Sequence, residues 1–183
     1  FIMMVSNASE KKTALARFKS HHIPLKKIIH DGLPDWNISA RNKEQAFAMD
    51  LLMDPDIKIV SLIGRAGSGK TLCAIASGLQ QTLGSAANHY DRLIVSRPVQ
   101  PLGKDIGFLP GTMHEKMLPW LMPIQDNLQY LLGDKNALQM YVEKGKIEIE
   151  ALTYIRGRSI ANAYVIIDEA QNLTKHEIKT ILT

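Results

Sequence analysis

The stretch Gly64-Arg65-Ala66-Gly67-Ser68-Gly69-Lys70-Thr71 satisfies the pattern G-x-x-x-x-G-K-[ST], with an apolar run at residues 57–63 before it and a helical pattern at residues 70–83 after it. That context is what a phosphate loop requires. Glycines let the backbone curl until its N–H groups point at one spot, and the start of a helix adds a favourable dipole for an anion held there. Lys70 follows as a mobile point charge for the β- and γ-phosphates, and the Thr71 hydroxyl is suited to ligate Mg2+. At average residue usage the pattern arises by chance in fewer than about one chain in a hundred of this length. With a strand and a helix expected around it, the loop reads as a binder of ATP or another nucleoside triphosphate, not as an ordinary glycine turn.

Upstream, residues 8–20 read as a basic helix, and residues 23–37, with Pro24, Gly32 and Pro34, as a connecting segment. The chain therefore divides, on this reading, into an N-terminal helix and linker at 1–38 and a main domain at 39–183. A helical pattern at 39–53 brings Phe47 and Leu51 onto one face and stops at Asp54-Pro55, and a strand is expected at 57–63. Downstream of the loop helix a strand is expected at 93–96, then a Pro- and Gly-rich loop at 97–111 and a helical region at 112–132 that Pro119 and Pro123 should kink or break. A short helix at 136–144 that Gly145 can cap, a half-buried strand at 146–152 and a last strand at 164–167 follow. Thr174 and Glu177 have the spacing of a capping box that opens a final helix. Alternating strands and helices, with strands reading as apolar runs, place the chain in the α/β class, a parallel sheet with helices on both faces.

Composition narrows the function classes. Hydrophobic residues make up 45% of the 183 positions, enough for a sizeable core. The 22 Lys and Arg exceed the 18 Asp and Glu, and the pI near 9.1 is compatible with a polyanionic partner. Cys73 is the only cysteine, which excludes an intramolecular disulfide and a thiolate zinc cluster and suits a reducing cytoplasm. No segment reaches the roughly 20 apolar residues of a membrane helix. The chain opens on Phe1 and stops at Thr183, as expected of a piece of something longer.

Tyr164-Val165-Ile166-Ile167-Asp168-Glu169 is the partner motif, an apolar strand that ends in two acids. Asp168 would hold Mg2+ through water, and Glu169 would polarise the attacking water, which is why adjacent acids suit hydrolysis. The remaining candidates are less specific. The six histidines, including His21-His22, have no metal-ligand spacing, and Cys73 reads as core packing. Met117, Trp120, Leu121, Ile124 and Leu128 read as core or subunit contact rather than as a platform for bases.

With the phosphate loop, the run Asp168-Glu169-Ala170-Gln171-Asn172, Arg97-Pro98, Gly107-Phe108-Leu109-Pro110-Gly111 and Arg156-Gly157-Arg158 resemble PhoH-like ATPases, relatives of superfamily 1 helicases, from residue 41 to the end. Pro119-Trp120, Pro123-Ile124 and Asp126-Asn127 look more like the branch in which the ATPase part follows a PIN ribonuclease domain. The resemblance implies a RecA-like core, here cut before its C-terminal strands, that acts on RNA and assembles as a homo-oligomer. A PIN domain would then lie in the longer parent chain. It also implies that Gln45 reads the adenine edge, since a side-chain amide offers the donor and the acceptor adenine needs. Gln171 would couple the γ-phosphate to strand separation. Arg97, Arg156 and Arg158 are candidates for an arginine finger from a neighbouring subunit, for contacts to RNA phosphates, or for a solvated loop.

Three functions compete at this stage: a motor ATPase on RNA, a P-loop phosphotransferase with a small acceptor, and a nucleotide-gated interaction module with slow turnover. The Asp-Glu-Ala-Gln run and Gln45 favour the motor. No acceptor pocket or basic lid is evident for a kinase. Because the chain ends before the strand that would sense the γ-phosphate, nucleotide binding is expected to be retained where hydrolysis is slow.

Overall fold

The computed structural model describes residues 1–6, 9–28, 32–85, 89–98, 113–155, 158 and 160–182, and divides into two compact units, Phe1–Ser77 and Gly78–Thr183. The first unit opens with an antiparallel sheet in the order β1 (Ile2–Ser6), β2 (Ser9–Arg17), β3 (Lys26–Lys27). The helix expected at 8–20 is thus a strand. Ladder bonds on both sides decide it: Met3 faces Leu15 and Met4 faces Ala14 on one side, while Ala16 faces Lys27 on the other. Pairing of this kind outweighs the modest helix preference of Ala, Leu and Lys.

A two-stranded hairpin, β4 (Gly32–Leu33) and β5 (Ile38–Ser39), follows, and then α1 (Lys43–Leu52). Asn42 caps this helix, its side-chain oxygen accepting from the Gln45 N–H at 2.8 Å. Its inner face buries Ala46, Met49 and Asp50, at the i, i+3, i+4 spacing of one helix side. Two contacts tie α1 to the sheet. Phe1 stacks on Phe47 with ring centroids 4.3 Å apart. Arg17, Asp50 and Asp54 form an ion cluster, all three at least nine-tenths buried, in which Arg17 donates to the Asp54 carboxylate and lies 3.3 Å from Asp50.

The strand expected at 57–63 does not form: no ladder among the described residues includes it. Ile59 is 68% exposed and Ile63 94%, so this apolar run has the composition of a strand without a neighbour. A strand is defined by the chain beside it, which propensity cannot supply. The phosphate loop comes next and leads into α2 (Lys70–Leu83), whose last residues belong to the second unit.

In that unit three parallel strands lie in the order β7 (Ile147–Ala151), β6 (Arg92–Arg97), β8 (Ala163–Ile167). The expected parallel sheet is present. Leu93, Ile94 and Val95 are each at most 1% exposed, and consecutive strand residues point to opposite faces, so the central strand is covered on both. On one face Gly78 admits α2 to close range: a Cβ there would meet Leu93 at 2.7 Å and Tyr164 at 2.9 Å.

Helix α3 (Met113–Leu132) packs on β7 and β6 and buries Leu121, Ile124 and Leu128, the core role expected of them. It continues through Pro119 and Pro123. Each proline removes one backbone bond, and the buried stripe holds the helix together across the loss. Helix α4 (Lys135–Glu143), capped by Asp134, leads to Gly145 in a left-handed conformation and then to β7. After the short α5 (Leu152–Ile155) and β8, Thr174 and Glu177 make the expected capping box at α6 (Lys175–Leu182). The run 107–111 lies outside the described residues.

Arg17 generates a stability prediction. Burial pushes the Asp54 carboxyl up, but the hydrogen bond from Arg17, the Asp56 N–H and the charges of Arg17 and Lys19 together hold it below the ordinary aspartate value. A carboxyl with a depressed folded value stabilises above its unfolded pKa of about 3.9 and loses that stabilisation as the pH falls through the folded value. Urea unfolding of the parent should therefore show stability declining on acidification below about pH 4. Arg17→Met removes the cation that the buried Asp50 and Asp54 share and should cost about 3–5 kcal/mol near neutral pH. In that variant the depression of the Asp54 carboxyl shrinks, since only the Asp56 N–H and Lys19 remain to oppose burial. Matching urea midpoints for the two proteins at neutral pH would contradict the cluster.

Candidate functional site

The expected residues fall into two groups, one in each unit. In the first unit the loop turns at Gly67 and Gly69, which hold φ values of 75° and 82°. These left-handed conformations strain any residue with a Cβ. The Ser68 N–H bonds back to the Arg65 carbonyl at 3.3 Å, and the Cys73 N–H to the Gly69 carbonyl at 2.9 Å begins the helix ladder. Lys70 folds over this turn. Its ammonium donates to the Gly64 carbonyl at 2.9 Å, to the Arg65 carbonyl at 2.8 Å and to the Ser68 hydroxyl at 3.5 Å. No carboxylate among the described residues pairs with it.

Gln45, on the first turn of α1, braces the loop. Its amide N–H donates to the Ser68 carbonyl at 3.0 Å, and its amide oxygen accepts from the Arg41 N–H at 2.8 Å. The side chain expected to read adenine thus has both ends on backbone groups. A Cβ at Gly69 would press on the Gln45 amide nitrogen at 3.0 Å, so the brace depends on glycine there. Cys73 is buried, and burial pushes its thiol up, consistent with the packing role expected of it.

The second group gathers where β6 and β8 end side by side. Ser96 is in register with Ile167, and the Asp168 N–H donates to the Ser96 carbonyl at 2.8 Å. Arg97, one residue on, reaches Asp168 at 3.9 Å and Glu169 at 3.6 Å. Glu169 has a φ of 53°, uncommon for a side chain other than glycine, and accepts from the Gln171 amide. Asp168, Glu169, Gln171 and Arg97 therefore form one constellation, in which the arginine serves the acids of its own chain. The adjacent acids were legible in the sequence. The contact with Arg97 was not, and the signal that finds it is the parallel register of two strands that end together.

Arg158 has another role. Its guanidinium donates to Glu150 and Glu148 at 3.0 Å each, and these bonds, that to Glu148 foremost, push its pKa further up. Arg156 lies outside the described residues. No group of three or more His, Cys, Asp or Glu that could cage a metal exists among the described residues, and no described helix is long and apolar enough to cross a membrane.

Residues 37–183 match the family model described as PhoH-like protein. The chain is 50% identical over 162 residues to Protein PhoH2 of Bacillus subtilis (strain 168), a match covering 87% of this chain and 36% of that protein. Protein PhoH2 of Thermobispora bispora is 40% identical over 149 residues, covering 81% and 34%. The PhoH-like protein of a Synechocystis species is 44% identical over 121 residues, covering 66% and 36%. The chain spans about a third of the length of these curated relatives.

The loop geometry separates two glycines that the motif treats alike. Both have positive φ, but nothing lies within 4 Å of a Cβ built at Gly67, whereas one at Gly69 meets Gln45. Gly67→Ala should cost about 1–2 kcal/mol through backbone strain alone. Gly69→Ala should cost more, and the excess should vanish in a Gln45→Ala background. Urea denaturation of the four single and double variants measures this, and equal losses at both glycines in both backgrounds would refute the brace.

Proposed function

The chain belongs to the PhoH-like family of P-loop proteins, and from that premise we propose that it binds ATP, or another nucleoside triphosphate, as its magnesium complex and hydrolyses it in a reaction coupled to RNA. Lys70 carries this reading. Among the described residues this lysine is held by two carbonyls and a hydroxyl and by no carboxylate. Phosphate oxygens offer it stronger, charge-assisted bonds in exchange. The same turn supplies backbone N–H groups and a helix start, so the loop favours an anion by three independent means.

Hard oxygen donors suit Mg2+, and Thr71 and Asp168 supply a hydroxyl and a carboxylate. Mg2+ is commonly held by one or two carboxylates plus phosphates, which suits a metal that arrives with its nucleotide. When bound, it would neutralise phosphate charge. In the proposed reaction a water oxygen attacks the γ-phosphorus and the bond to the β–γ bridging oxygen breaks. The nucleoside diphosphate leaves with that oxygen, and the water's proton passes to Glu169. The basic balance of the chain, with a pI near 9.1, supports RNA as the polyanion.

Lys70→Ala should weaken ATP binding about 10- to 100-fold by calorimetry, as expected for one lost charge-assisted bond. Unchanged affinity would sink the assignment. Glu169→Gln should keep Mg·ATP affinity while phosphate release falls roughly 100-fold or more. Equal turnover in variant and parent would move the base elsewhere. Phosphate release that does not rise with single-stranded RNA would remove the coupling and leave a nucleotide-binding module.

A further inference from the structure

Positive charge is concentrated near the start of the chain. Residues 11–30 contain Lys11, Lys12, Arg17, Lys19, Lys26 and Lys27 and no Asp or Glu, six positive charges against a whole-chain net of +4. The rest of the chain is net negative. Arg17 turns inward to Asp50 and Asp54. Lys19 lies 3.8 Å from Asp54 and keeps its side chain 41% exposed, while Lys26 and Lys27 are exposed.

Arg17 and Lys26 are ladder partners, so residues 18–25 form one loop closing β2 onto β3. From Phe18 to Lys27 every residue is exposed except Ser20, which is half-buried. An ordinary solvated loop of this kind would carry small polar residues. This one presents Phe18 at 44% exposure, Ile23 at 51% and Leu25 at 42%. Phe18 meets His21 edge to face, with ring centroids 5.2 Å apart, an arrangement that leaves a ring face open to a third group.

We propose that this loop and the two lysines after it are a docking site for single-stranded RNA, with bases stacking on Phe18 and His21 and phosphates on Lys19, Lys26 and Lys27. An aromatic face amid cations, without a carboxylate in the segment, is the chemistry of a sequence-tolerant single-strand platform. A duplex would present only phosphates to it, because its base faces are already stacked. The choice of RNA rests on the function proposed above, whereas the preference for unpaired bases comes from the loop itself. An anionic membrane surface is the competing partner; exposed single apolar residues between cations give it less to bury than a continuous apolar face would.

The experiment is fluorescence anisotropy of a labelled mixed-sequence RNA 12-mer with the full chain across a salt series, beside titration of a labelled nucleotide. Phe18→Ala should weaken RNA binding about 5- to 100-fold with the salt slope unchanged, as for one lost stacking contact. Lys26→Ala with Lys27→Ala should weaken it and flatten the salt slope by about 1.4, as for two lost phosphate contacts on a single strand. Both variants should keep parental nucleotide affinity. Parental RNA affinity in both variants overturns the proposal. So does equal binding of a duplex of the same length, or binding confined to DNA. Loss of binding to phosphatidylserine vesicles with RNA binding untouched assigns the loop to a membrane and likewise overturns it. If the parent binds no nucleotide while the RNA results stand, the loop assignment survives and the nucleotide reading fails.

Discussion

A phosphate loop depends on a backbone position that no side chain can share, and in this chain that position is Gly69. Its left-handed backbone directs the turn, and the space where a Cβ would sit is taken by the Gln45 amide. Through that amide the Ser68 carbonyl and the Arg41 N–H are joined, so the segment before α1 and the loop before α2 are fixed to each other. Asn42 sets the first turn of α1 and so the direction of Gln45.

Charge compensation then sorts the cations more sharply than their positions in the sequence do. Arg17 is matched by buried acids, and Arg158 by two glutamates of strand β7. Arg17 is structural by that test, because it is buried together with its acids, whereas Arg158, at 39% side-chain exposure, is held by partly solvated pairs. Lys70 is held by neutral groups only, and Lys26 and Lys27 extend into solvent. The phosphate loop and the end of the N-terminal sheet are thus places where an added anion would gain.

The α/β class, the capping box at Thr174 and Glu177 and the order of the main elements from α2 onward were legible because they depend on local chemistry: a cap, a glycine, a run of aliphatic residues. Errors arose where the deciding partner is remote in sequence. Residues 9–17 read as helix by composition and are a strand because Ile2–Ser6 and Lys26–Lys27 flank them. Residues 57–63 have the aliphatic content of a strand and no neighbour among the described residues. The loop motif itself was unambiguous, yet the brace by Gln45 spans 23 positions and leaves no periodic trace. Asp54-Pro55 marked the end of the helix, but nothing near it announced Arg17.

On the function proposed above, the surroundings of Glu169 impose an order of events. Its two carboxylate oxygens are engaged, one by Arg97 at 3.6 Å and the other by the Gln171 amide. A carboxylate in that state has fewer lone pairs to offer a water, so a contact must yield before it takes a proton. The energy required is small. With Arg97 at 23% side-chain exposure and Glu169 at 38%, the ion pair is partly solvated, and such pairs contribute about 0.2–1 kcal/mol. Release of Arg97 therefore occurs with nearly thermal ease, and a polyanion that attracts the guanidinium can drive it. Because Arg97 also lies 3.9 Å from Asp168, the same movement changes the charge around both acids at once. One guanidinium faces both acids, so an anion that binds it would alter the two together.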